Sequence, residues 1–247
     1  MMRIRSASVL PAVRKDISFR TEDGMELVGE LSLPASGEPS ATLVFFHPLP
    51  THGGYMDSHL IRKAANRLPA MANIAVLRFN FRGVESPRGK SEGSFGEGEL
   101  ERFDLEAAID FARSQGLPHI WLVGWSFGTE VILKHALGRS GQFDGIFLLA
   151  PPLHRATEAD LARWVGRPET MIALVPEHDD FLKPDEAITR FASVPELQVI
   201  PAEGAKHLFV GEIYTHLALS EMVSAVRPEA LPLPTEWPED QHQLGSD

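Results

Sequence analysis

From Ala41 onward the chain repeats one unit: a short apolar run, then a stretch with helical spacing. The runs are ATLVFFHP (41–48), IAVLRFNF (74–81), HIWLVGW (119–125), GIFLLAPP (145–152), TMIALVP (170–176) and LQVIPAEG (197–204). Runs of this length without polar alternation suit strands buried on both faces. Helix-length crossovers between strands return the chain to the same end of the sheet, so the strands pair in parallel. The pattern predicts an α/β fold with helices on both sheet faces. Ahead of it, DISFRTEDGMELVGELSLP alternates about Asp23-Gly24, the signature of an antiparallel hairpin at one sheet edge.

Among the helical stretches, Ser58 to Met71 has Asp57 as its expected N-cap, and Leu100 to Gln115 has an expected apolar face through Leu100, Phe103, Ala107 and Phe111. A glycine-rich loop precedes the second of these, from Arg82. Further helices are expected at GTEVILKHALG, EAITRFAS and near His216 to Val226. From Arg227 the chain turns to proline and acid, which predicts a poorly ordered tail. The expected organisation is an extension over residues 1–15, one domain over 16–226 and a tail over 227–247.

Composition removes several function classes. A net charge of −11 argues against nucleic-acid or anionic-membrane partners, which demand clustered Lys and Arg. With no cysteine there is no disulfide, zinc thiolate or thiol nucleophile. No apolar run reaches the roughly 18 residues of a membrane helix. The basic opening MMRIRSASVLPAVRKD has no apolar core of signal-peptide length, so a cytoplasmic location is expected.

The chemistry concentrates at Gly124-Trp125-Ser126-Phe127-Gly128. A strand, a sharp turn and a helix follow in order, the context a nucleophilic serine needs at a G-x-S-x-G turn. A helix N-terminus behind the turn favours developing negative charge. A serine hydroxyl needs a base, and histidine is the useful one near neutral pH. His154, His178 and His207 lie beyond Ser126, and His207 stands just past the last strand, where a loop reaches the nucleophile's end of the sheet. Glu177, Asp179 and Asp180 follow the strand before it. Asp179 is the expected acid, with Phe181 packing inward, and Asp180 is its rival. Reading residues 177–180 as a metal cluster fails because adjacent side chains diverge. No metal and no cofactor is expected.

Acyl transfer also requires donors for the oxyanion. The N–H of Phe127 is one candidate. The other lies in HPLPTHGGYMDSH, where Pro48 and Pro50 lack an N–H and leave Leu49. Trp125, Leu153, Trp164 and Phe181 are candidates for an apolar substrate wall, and Arg82 or Arg88 for a carboxylate contact.

Together these residues resemble the α/β-hydrolase superfamily, most closely its small bacterial members without a large lid. The resemblance rests on His47-Pro48 with Gly53-Gly54, Leu77 to Gly83, Gly124 to Gly128 and His207 to Phe209, and spans Asp16 to Val226. It implies a mostly parallel eight-stranded sheet and a triad of Ser126, Asp179 and His207. Two departures are Pro176-Glu177-His178, where relatives carry a glycine before the acid, and Val84-Glu85-Ser86 after Gly83. The usual lid position, Pro152 to Glu169, has room for one short helix, which implies an open site.

The expected activity is hydrolysis of a small-molecule carboxylic ester, with water as second substrate, through an acyl-enzyme. Amide or peptide cleavage by the same groups and a catalytically silent binding module are the alternatives. A dehalogenase would need a carboxylate at position 126.

Overall fold

A computed structural model describes residues 1–238. Eight strands form one sheet: β1 (Ala12–Arg20), β2 (Glu26–Pro34), β3 (Ala41–Phe46), β4 (Ile74–Phe79), β5 (Ile120–Trp125), β6 (Gly145–Leu149), β7 (Thr170–Pro176) and β8 (Leu197–Ala202). Their spatial order is β1-β2-β4-β3-β5-β6-β7-β8. β2 pairs antiparallel with both neighbours, and every other pairing is parallel. The N-terminal hairpin therefore sits at the edge, as its alternation predicts.

Among the described residues six α-helices accompany the sheet: α1 (His59–Ala72), α2 (Glu101–Ser114), α3 (Phe127–His135), α4 (Glu158–Ala162), α5 (Pro184–Arg190) and α6 (Glu212–Val226). Successive strand residues point to opposite faces, and this sorts the core into two halves. Leu122 and Leu148 face α2 and α3, with Leu105, Ala108, Val131 and Ile132. Val123, Trp125 and Leu149 face α1 and α6, with Leu60, Ala64, Ala218 and Met222. The chain leaves β3 toward β4 on one side and returns to β5 on the other. That reversal opens a crevice beyond the carboxyl ends of the strands, where ligands bind in such sheets.

Several local expectations are corrected. Asp57 does not cap α1: Ser58 precedes that helix without a side-chain cap, and the Asp57 carboxylate accepts from Arg78 instead. Buried Arg78 also donates to buried Glu30 at 2.8 Å, so Asp57 goes where an uncompensated charge would be costly. In α2, Leu100 lies outside the helix and is exposed, while Ala107 is buried and Phe111 packs on the core as expected; the buried face also takes in Asp104, Leu105, Ala108 and Ala112. Asp104 is inside because it binds the Arg82 guanidinium at 2.8 Å. Neighbouring Glu101 is buried too, and accepts the N–H groups of Gly96 and Gly98 at 2.7 and 2.8 Å. That carboxylate shapes the glycine-rich loop.

The first sheet strand starts at Ala12, inside the expected N-terminal extension. Residues 227–238 are not a loose tail: Glu236–Trp237 pairs antiparallel with Met2–Arg3, and Leu233 is buried. Residues 239–247 lie outside the described residues. Between β6 and β7 the only helix is α4, held by a capping box between Thr157 and Asp160. No helix among the described residues is long and apolar enough to cross a membrane.

Candidate active site

The turn after β5 places Ser126 at φ 52°, ψ −115°, a strained region for a residue with a Cβ. Its surroundings enforce it. The Ser126 N–H donates to the Leu149 carbonyl at 2.9 Å, and its own carbonyl accepts from the Thr129 N–H and hydroxyl at 2.9 and 2.6 Å. The flanking glycines are required by space. A Cβ on Gly128 would stand 2.0 Å from the Phe46 carbonyl oxygen, and one on Gly124 2.6 Å from the Gly128 backbone. Strand and helix could not approach this closely around larger residues.

Two further loops converge on the serine. β7 ends at Pro176 and β8 at Ala202, and their following loops carry Asp179 and His207. The Ser126 hydroxyl lies 2.9 Å from His207 Nε2. His207 Nδ1 lies 2.9 and 3.1 Å from the two Asp179 oxygens. All three residues are buried. Asp179 Oδ1 also accepts the Phe181 N–H at 2.8 Å, which fixes the carboxylate plane. This arrangement puts Nδ1–H toward Asp179 and leaves Nε2 as acceptor for the serine proton. Asp180 makes no hydrogen bond to the imidazole; it is exposed and borders the cleft that Ser126 also lines.

The backbone around His207 is gripped from the far side of the sheet. The Trp125 indole N–H donates to the His207 carbonyl at 3.2 Å, and His59 Nε2–H donates to the Leu208 carbonyl at 2.6 Å. The two rings meet edge to face, with centroids 5.4 Å apart. Burial pushes the His59 imidazole down from its ordinary value, with the Leu208 bond opposing.

On the opposite side, His47 holds the loop that carries Leu49. Its Nδ1–H donates to the Pro48 carbonyl at 2.7 Å, and its Nε2 accepts the Phe81 N–H at 3.0 Å. Complete burial pushes this imidazole down to about 4, so it is neutral near pH 7. Leu49 and Phe127 both line the cleft. Among the described residues neither backbone N–H has an acceptor: Phe127 opens α3, and Leu49 precedes a single turn of 3-10 helix.

The cleft measures about 560 Å³ and is lined by apolar Pro48, Leu49, Phe127, Pro152, Phe181 and Leu208 among polar groups. The expected wall is only partly there. Phe181 lines it, but it does not pack inward: it is 50% exposed and stands edge-on to the His207 ring at 4.7 Å. Trp125 faces α1 and α6, and Leu153 is buried in the opposite core half. Trp164 is also buried there, its indole donating to the Leu133 carbonyl at 2.9 Å. None of these three borders the cleft. Arg82 and Arg88 are likewise elsewhere, committed to Asp23 and Asp104, and to Asp16 and Glu30. The residues unforeseen in the sequence are His52, Glu130 and Arg155, and His154 is present without contact to Ser126. Glu130 follows Ser126 by one helical turn, which was the available signal for it.

The fold has counterparts among known proteins. A curated relative, the uncharacterized protein RP471 of Rickettsia prowazekii, is 27% identical over 152 residues, 60% of this chain. The match spans 61% of that protein's length. Among solved structures, XC6422 from Xanthomonas campestris, described as a serine hydrolase without lid, is 25% identical with a TM-score of 0.69, covering 93% of this chain and 99% of its own. A serine hydrolase homologue from Coxiella burnetii is 24% identical with a TM-score of 0.69, covering 87% and 96%. The Pyrococcus furiosus esterase Pf2001 shares the fold at 18% identity, with a TM-score of 0.66 over 87% and 93%. The model of the alpha/beta hydrolase family matches residues 43–243, and with the strand order and the serine turn in place, the chain belongs to that family.

Proposed function

We propose that the chain is a serine hydrolase that cleaves a carboxylic ester through an acyl-enzyme, with Ser126 as nucleophile, His207 as base and Asp179 as acid. The observation that carries this reading is the unbroken hydrogen-bond line from Asp179 through His207 to Ser126, ending at an open cleft. In the first step Ser126 Oγ bonds to the ester carbon while its proton passes to His207 Nε2. Asp179 holds the imidazolium formed. The carbonyl oxygen becomes anionic and accepts the N–H groups of Leu49 and Phe127, each such donor lowering the barrier by about 3 kcal/mol. Collapse expels the alcohol oxygen, which takes the proton from His207. Water then repeats the sequence on the acyl-enzyme and releases the acid.

Treatment with a fluorophosphonate followed by peptide mapping tests the reading. Label is expected on Ser126 in the native protein and is expected to vanish in His207→Ala. Folded protein that leaves Ser126 unlabelled indicates a binding module instead. Parallel assays on p-nitrophenyl esters and the matching anilides separate esterase from amidase action.

A further inference from the structure

Arg155 is the only arginine or lysine lining the cleft among the described residues. Its guanidinium sits 5.4 Å over the ring of Phe127, the residue whose N–H is proposed above as an oxyanion donor. Two carboxylates stand near it: Glu130 with an oxygen 3.5 Å away and Glu97 with one 3.6 Å away. Neither contact is a hydrogen bond, and among the described residues no acceptor is bonded to any N–H of this guanidinium. Its backbone N–H does bond, to Glu130 Oε1, which also accepts the Ala156 N–H at 3.3 Å. Glu130 is buried, and its other oxygen has no hydrogen-bond partner.

The chemistry of this arrangement is specific. Buried Glu130 anchors the main chain of the 155–156 loop, and the Phe127 ring supports the guanidinium from below. The planar fork of N–H donors, ion-paired with Glu130 and Glu97 but hydrogen-bonded to neither, is partly exposed on the same cleft lining as Ser126. Such a fork matches a carboxylate in two parallel hydrogen bonds. Glu97 and Glu130 offset the guanidinium charge, which penalises a doubly charged phosphate more than a singly charged carboxylate, and the latter must gain its binding from the paired N–H donors. No other guanidinium or ammonium stands on this lining among the described residues, so Arg155 is the one permanent cation that an entering anion meets there.

We infer that Arg155 binds a free carboxylate on the substrate, so the favoured substrates are esters that carry a second, unesterified carboxyl group. This rests on the serine-hydrolase reading and adds the substrate class to it.

Two ester pairs test it on the intact chain. On the acyl side, mono-p-nitrophenyl adipate is compared with its terminal carboxamide. On the alcohol side, 4-carboxyphenyl butyrate is compared with 4-carbamoylphenyl butyrate. In at least one pair the native protein should favour the carboxylate about tenfold or more in kcat/KM, the size expected of a charge-assisted pair. The ratio should fall to near one in Arg155→Met and be partly kept in Arg155→Lys. No preference in either pair, or the same preference in Arg155→Met, overturns the inference while leaving the labelled, active hydrolase intact. A protein that hydrolyses none of the four esters and takes no phosphonate label overturns both readings together.

Discussion

The Trp125 indole donates to the main-chain carbonyl of His207 across 3.2 Å, so the residue before the serine positions the backbone of its partner imidazole. Sequence reading assigned this side chain to the substrate wall; it acts from the opposite face of the sheet. Trp125→Phe keeps most of the ring volume and removes the donor. The loss of one buried hydrogen bond is expected to cost about 1–2 kcal/mol. The kcat on a neutral ester should drop several-fold with KM little changed, because the imidazole loosens and the cleft does not. Steady-state kinetics with a thermal melt check this; an unchanged kcat at a lowered melting temperature would reduce Trp125 to a packing residue.

The adjacent acids Asp179 and Asp180 in the loop after β7 differ in what they reach. Asp179 meets His207, and Asp180 lies at the cleft edge. Asp179→Asn should lower kcat by about 10³–10⁴, since the amide favours the wrong imidazole tautomer. Asp180→Asn should cost less than about tenfold. Comparable losses from both substitutions would contradict the assignment.

Space at the serine turn makes a sharp contrast. Gly128→Ala drives a methyl into the Phe46 carbonyl at 2.0 Å. The expected cost is on the order of 3–5 kcal/mol, with loss of phosphonate labelling. Gly138→Ala is the control, where the nearest atom to a new Cβ is Glu106 Oε1 at 3.9 Å. It should leave urea unfolding nearly unchanged.

His47 predicts an acid-side loss of stability. Its imidazole ordinarily titrates at 6.5, and burial pushes it down to about 4 in the fold. Between those values the unfolded chain binds a proton that the folded chain refuses. Its contribution is therefore complete above pH 6.5 and is lost as pH falls toward 4, by about 3 kcal/mol in all. Asp104 works with the opposite sign: burial raises it from 3.8 to about 6, so stability falls as pH rises through that window. Comparing the native chain with His47→Asn isolates the first effect. Urea melts should show a shallower decline from pH 6.5 to 4 in the variant, and parallel curves would refute the account.

The sequence alone determined the order of elements, the edge hairpin and the strand–turn–helix that carries Ser126. Those features rest on alternation, helical spacing and glycine geometry, which act between near neighbours in the chain. It also narrowed the candidate partners to one loop after β7 and one after β8. Tertiary structure put Asp179, and not Asp180, in hydrogen-bond contact with His207, because adjacent side chains diverge and the loop path selects which of them meets the imidazole. The fold also sent Trp125, Leu153 and Trp164 into the core and kept Phe181 at the cleft. It folded residues 227–238 back to the N-terminus and put Arg155 over Phe127. These outcomes depend on strand order and on which face a side chain takes, and both are set by contacts between residues far apart in the chain.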